Sequence, residues 1–145
     1  MDLDLVYLPE GSMRQLARIT HHRGPEIVGE VEVGSDHWVY EMHFPGDPIF
    51  PGCLMVEAAG QLVADHARAA DPVGRPRLVR ANAEFRDPVH PDDERLILTA
   101  RVRRRRNLHF GKVGLSAAGR DVATIDIVLA VLPPAHPQPD RLSSS

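Results

Sequence analysis

The sequence predicts an α+β domain in which an antiparallel sheet closes over one long helix. Three observations carry that expectation. Several segments alternate apolar and polar residues with the period of two that a half-buried strand requires. Only one segment, at about 53–70, has the apolar density of a buried helix. The strands also follow one another too closely for crossover helices, so they must pair largely antiparallel.

Taken in order, residues 13–20 form the weakest strand candidate. Residues 26–33, EIVGEVEV, set Ile27, Val31 and Val33 against Glu26, Glu30 and Glu32. Residues 37–44, HWVYEMHF, are rich in strand formers and stop at Pro45-Gly46. Beyond the helix, 78–86 places Val79, Ala81, Ala83 and Phe85 opposite Arg80, Asn82, Glu84 and Arg86. Residues 94–103 align Leu96, Leu98, Ala100 and Val102, and segments 108–117 and 121–132 complete the set across the hairpin turn AAGRD. One face of such a sheet needs cover, and the helix is the only element able to give it.

That helix is apolar over most of its circumference. Its polar residues, Glu57, Gln61, Asp65 and Arg68, fall in one narrow stripe at spacings of four, four and three. On the residues alone the stripe reads as the solvent-facing side of an amphipathic helix. The alternative is that its N-terminal end, at Glu57, lines a pocket.

Length and composition narrow the class. A chain of 145 residues buries a core without staples, and 43% hydrophobic with 26% charged residues is ordinary for a globular domain. Residues 1–133 read as one domain. Residues 134–145 have too little apolar surface to offset their ordering entropy and read as a disordered tail. A net charge of −3 argues against a dedicated nucleic-acid binder. The single cysteine, Cys53, excludes an internal disulfide and reads as a small buried hydrophobe. The acidic start MDLDLVYLPEG lacks the basic end of a signal peptide, and no apolar run reaches membrane-spanning length, so a cytoplasmic location is expected. His21 and His22 are adjacent rather than at metal-ligand spacing, so no metal is expected.

The stretch His43–Ala67, HFPGDPIFPGCLMVEAAGQLVADHA, carries the functional signal. It resembles the active-site segment of the β-hydroxyacyl-acyl-carrier-protein dehydratases, the FabZ/FabA group. The shared features are His43 followed by Phe-Pro-Gly, then Pro48, Pro51-Gly52, a carboxylate fourteen residues after the histidine, and Gln61 four beyond it. A weaker likeness continues through ANAEFRDPVHPDDERLIL, and the whole covers roughly residues 26–132. The resemblance implies a hotdog fold, an antiparallel sheet wrapped round a central helix. It also implies a dimer or an assembly of dimers, with the histidine and glutamate of each site drawn from different subunits. Two departures stand out. The N-terminal helix and PHRYPFLLVD-like segment of the FabZ type are replaced by LPEGSMRQLARITHHRG. The wording GDP…PGCL and QLV leans toward the isomerising FabA type, whereas Glu57 is the FabZ choice of acid.

Eliminating water from a 3-hydroxyacyl thioester needs a base at C2, an acid at the departing hydroxyl, and a donor for the enolate oxygen. By resemblance His43 is the base, Glu57 the acid, and the backbone N–H of Gly52 the donor to the thioester carbonyl. Burial disfavours a carboxylate's charged form, which suits an acid kept in apolar surroundings. Gln61 is placed one turn on to orient Glu57, and Phe44 and Pro51 flank the substrate. No cofactor is implied.

The run RVRRRR at 101–106 has a plain reading as a solvated strand end. The functional reading is that Arg103, Arg104, Arg105, Arg106 and Lys112 steer an acidic acyl carrier protein. Two other functions stay open beside dehydration, since one fold hosts many activities. They are a hotdog acyl thioesterase and a non-catalytic subunit completed by a different chain.

Overall fold

The computed structural model describes residues 9–43 and 46–135; the tail expectation for 134–145 falls almost entirely outside them, and so does Phe44. Six strands form one antiparallel sheet: β1 (Leu16–Arg23), β2 (Glu26–Glu32), β3 (Arg75–Phe85), β4 (Arg95–Arg105), β5 (Leu108–Ala117) and β6 (Arg120–Leu132). Their spatial order is β1-β2-β4-β5-β6-β3. The one long helix among the described residues, α1 (Gly52–Ala70), packs on the sheet and touches every strand.

Period-two alternation decides which side chains meet the helix. On β4, Leu96, Leu98, Ala100 and Val102 point inward, as the sequence predicts, and Val113, Leu115, Ile125 and Ile127 continue the layer on β5 and β6. The helix answers with Ala58, Ala59, Leu62 and Val63, all fully buried. Two glycines set how closely it approaches. A Cβ on Gly111 would stand 2.3 Å from Val63 Cγ2, and one on Gly29 would stand 3.0 Å from Leu62 Cδ1. Glycine at these positions lets the helix sit directly on the sheet.

Two expectations change. Of the segment expected as a strand over 37–44, the described residues 37–43 form none; Trp38–Glu41 is a short 3-10 helix. The His37 ring accepts a hydrogen bond from Val39 N and caps it, while His37 N bonds back to Gly34 O in a preceding turn. Trp38, Tyr40 and Phe50 gather round the His37 ring, so the aromatic residues that suggested a strand serve packing instead. The weak segment 13–20, by contrast, becomes the edge strand β1. Register shifts at Leu16/Arg18 and Ile19/His21 break its alternation, which is why its pattern was faint.

The strand over 78–86 exists but is longer, and although Ala83 packs on the core, much of its apolar surface stays open. Leu78, Val79 and Phe85 are 58%, 59% and 49% exposed. β3 is therefore an edge strand with apolar side chains and an unpaired backbone edge.

Candidate functional site

The helix start is built by the loop before it. Phe50, fully buried, bonds through its N–H to Val89 O at 2.8 Å and fixes the chain ahead of Pro51. Pro51 is the N-cap in an extended conformation and offers no side-chain cap. The first turn of α1 thus begins at Gly52 with backbone N–H groups that no side chain caps. A Cβ on Gly52 would lie 2.8 Å from Phe85 Cζ, so the close neighbour of this glycine in one chain is the Phe85 ring. Ile49, Gly52, Met55, Phe85 and Pro88 line a hollow of about 510 Å³ here.

Glu57 sits half-buried one turn further along. Its Oε1 accepts from Gln61 Nε2 at 3.0 Å. Gln61 is 4% exposed and uses its full hydrogen-bonding capacity. Its Nε2 also donates to Met13 O at 2.7 Å, and its Oε1 accepts from Gln15 N at 2.9 Å and Leu16 N at 3.2 Å. The stripe is therefore not a solvent-facing one: the N-terminal segment and β1 cover Gln61, and Asp65 too is only 7% exposed. Glu57, Gly60, Gln61, Ala64, Leu78 and Leu129 border a second hollow of about 400 Å³.

His43 ends the segment after the 3-10 helix. Its N–H donates to Val39 O at 2.8 Å, and its Nδ1 lies 3.3 Å from Ile49 O. In the tautomer that donates Nδ1–H to this carbonyl, Nε2 carries the lone pair that a base needs. His43 lines neither of these two hollows, and Gly52 and Glu57 border different ones. The two hollows share β3 as a wall, through Leu78 in one and Phe85 in the other.

The arginine run divides between faces because a strand alternates. Arg103 points to the outer face, where its guanidinium lies 4.6 Å over the Phe110 ring, and Lys112 joins it. Arg80 and Arg101 complete a groove of about 520 Å³, with Asp126 as the acid among them. Arg104 shares the helix-side parity of buried Val102, and its Nε bonds to Arg106 O in the turn. Arg104, Arg105 and Arg106 do not line the groove, whereas Arg80 and Arg101, absent from the sequence expectation, belong to it.

Gln15 and His37 were also missed. Neither carries a motif, and their partners lie up to 46 residues away in the chain. Cys53 is exposed on a single chain rather than buried. Among the described residues no group of three His, Cys, Asp or Glu side chains is placed to hold a metal ion, and no helix is long and apolar enough to cross a membrane.

Comparison with known proteins supplies the family. The FabA-like domain family matches residues 8–126. A 3-hydroxyacyl-[acyl-carrier-protein] dehydratase FabZ from Desulfotalea psychrophila is 36% identical over 92 residues, which cover 60% of this chain and 61% of that relative's length. Among solved structures, AziG of S. sahachiroi superposes with a TM-score of 0.67 at 21% identity over 81% of this chain and 91% of its own. A putative thioesterase from Lactococcus lactis gives a TM-score of 0.68 at 10% identity, over 82% and 93%. At such identities these structures speak for the fold alone, an antiparallel sheet round one long helix, the hotdog fold. With the family matched across most of its length and the expected architecture in place, the chain belongs to the FabA-like family.

Proposed function

We propose that the protein removes water from 3-hydroxyacyl thioesters borne on acyl carrier protein, in fatty-acid or polyketide biosynthesis. The observation that carries this reading is the half-buried Glu57 on α1, held by Gln61 and facing a hollow of about 400 Å³ within the family-matched segment. His43 takes the proton from C2 as the C3–O bond breaks, and Glu57 gives its proton to the departing hydroxyl, which leaves as water. Exchange with solvent then returns both groups to their starting forms. Backbone N–H groups at the start of α1, Gly52 first, stabilise the developing enolate oxygen where the helix dipole favours negative charge. Pro51 holds that start in place as its extended N-cap.

The working unit is a dimer. Neither hollow of one chain contains both His43 and Glu57, while β3 carries exposed Leu78, Val79 and Phe85 along an open edge between them. Pairing of β3 with β3 of a second copy would cover these side chains and set one chain's histidine against the other's glutamate. The same incompleteness supports the second reading, a subunit completed by a different chain. The outer groove of Arg80, Arg101, Arg103 and Lys112 supports docking of the carrier protein there, because its charge suits an acidic partner.

The test incubates the purified chain alone with a 3-hydroxyacyl carrier protein and follows loss of water by mass spectrometry, with the oligomer sized in parallel. A homodimer that dehydrates is the expected result. A folded protein that leaves every chain length untouched moves the assignment to the incomplete subunit, and release of free thiol moves it to a thioesterase.

A further inference from the structure

One run of hydrogen bonds connects His43 to Glu57 within the same chain. His43 N–H donates to Val39 O at 2.8 Å, and Val39 N–H donates to His37 Nδ1 at 3.1 Å. His37 Nε2 meets Gln15 Oε1 at 3.1 Å; Gln15 N–H donates to Gln61 Oε1 at 2.9 Å, and Gln61 Nε2 to Glu57 Oε1 at 3.0 Å. The tautomer of His37 follows from its partners. Nδ1 accepts from a backbone N–H and must be bare, so Nε2 carries the hydrogen and donates to the Gln15 carbonyl oxygen.

The middle of this run is built to be stiff. Gln15 is 4% exposed, and its Nε2 donates to Ser12 O at 2.9 Å, so both ends of its amide are held. The His37 ring meets Phe50 edge-on at 5.1 Å and Trp38 at 5.3 Å. Phe50 lies two residues before Gly52. His37 therefore grips the loop from His43 to the helix start at both ends, by hydrogen bond through Val39 and by packing through Phe50. Burial lowers the basicity of His37, which keeps the ring in the neutral form the two bonds require.

We propose that His37 and Gln15 are positioning residues, whose paired side chains fix the His43 loop relative to the Glu57-bearing helix. The proposal rests on the dehydratase reading for the roles of His43 and Glu57, but the linkage itself has a readout that needs no activity. Gln15→Leu removes the side-chain bonds and keeps the backbone bond to Gln61. His37→Asn keeps an acceptor for Val39 N and loses the reach to Gln15.

Nitrogen-15 spectra of the imidazoles are expected to show His37 with Nε2 protonated and Nδ1 bare. In Gln15→Leu, exchange of the His43 amide is expected to quicken about tenfold as the cap loosens. On a carrier-bound substrate, each single variant is expected to lose about tenfold in kcat with KM held within about twofold, since misplacement affects the transition state more than binding. The double variant is expected to lose no more than the worse single one, because both break the same link. A His37 protonated on Nδ1, or a His43 amide indifferent to Gln15→Leu, would overturn the linkage even in a protein without dehydratase activity. Losses that multiply in the double variant, or wild-type kcat in folded single variants, would overturn the positioning role.

Discussion

Replacing Gln61 by leucine is the sharpest test of how the N-terminal segment is held on the helix. Leucine fills a similar volume but offers neither donor nor acceptor. Four groups lose their partner at once: Met13 O, Gln15 N, Leu16 N and Glu57 Oε1. The bonds to Gln15 N and Leu16 N are buried, and a buried donor left unsatisfied costs about 1–3 kcal/mol. The added apolar burial of leucine returns about 1–2 kcal/mol. The net expectation is a destabilisation of about 3 kcal/mol, read as a lower urea midpoint with unchanged slope. Gln61→Glu is the matched control, since it keeps the acceptor for Gln15 N and Leu16 N but sets a second carboxyl group beside Glu57. A loss below about 1 kcal/mol in Gln61→Leu would show that water or rearrangement satisfies these groups, and would refute the reasoning.

Further expectations concern pH, packing and charge. His22, His37 and His109 all have their pKa lowered from the usual 6.5, chiefly by burial, so the unfolded chain binds protons more readily than the folded one. Stability is then complete above about pH 6.5 and falls as pH drops toward the depressed folded values; calorimetry from pH 8 to 5 reads this as a declining Tm, and a flat Tm contradicts it. His109 is 2% exposed and its Nδ1 has no hydrogen-bond partner, so His109→Leu is expected to blunt that decline without lowering Tm at pH 8. Gly111→Ala forces a Cβ to within 2.3 Å of Val63 Cγ2 and is expected to cost about 1–3 kcal/mol in urea unfolding. Arg103→Glu with Lys112→Glu is expected to raise KM for carrier-bound substrate and to leave turnover of a small thioester unchanged; equal loss on both substrates would remove the groove from carrier docking.

The parts of the fold that a local pattern specifies were legible in the sequence. Leu96, Leu98, Ala100 and Val102 announce β4 because an inward face leaves an unbroken period of two. The apolar density of 53–70 announces α1, which runs over Gly52–Ala70. What local patterns do not hold was missed. The aromatic residues at 38–40 suggested a strand, yet the His37 ring caps a 3-10 turn there, and its other nitrogen donates to Gln15, 22 residues away. The faint alternation at 13–20 hid a real strand because two register shifts break its period. Position along the chain foretold which arginines are neighbours in sequence but not that alternation sends Arg103 and Arg104 to opposite faces. At the site, the spacing of His43, Gly52, Glu57 and Gln61 was visible at once. The burial of Gln61 under the N-terminal segment was not, because it depends on contacts some 46 residues apart.

The central claim is that His43 and Glu57 work together in sites completed across two chains. Mixing inactive His43→Ala protein with inactive Glu57→Gln protein, after subunit exchange, tests it directly. A mixed dimer holds one site with both residues intact, so loss of water from the 3-hydroxyacyl carrier substrate is expected to return to about a quarter of the wild-type rate per chain. If each variant is inactive alone and the mixture stays inactive after exchange is demonstrated, the cross-chain site is contradicted. If either single variant keeps wild-type activity, that residue's role is.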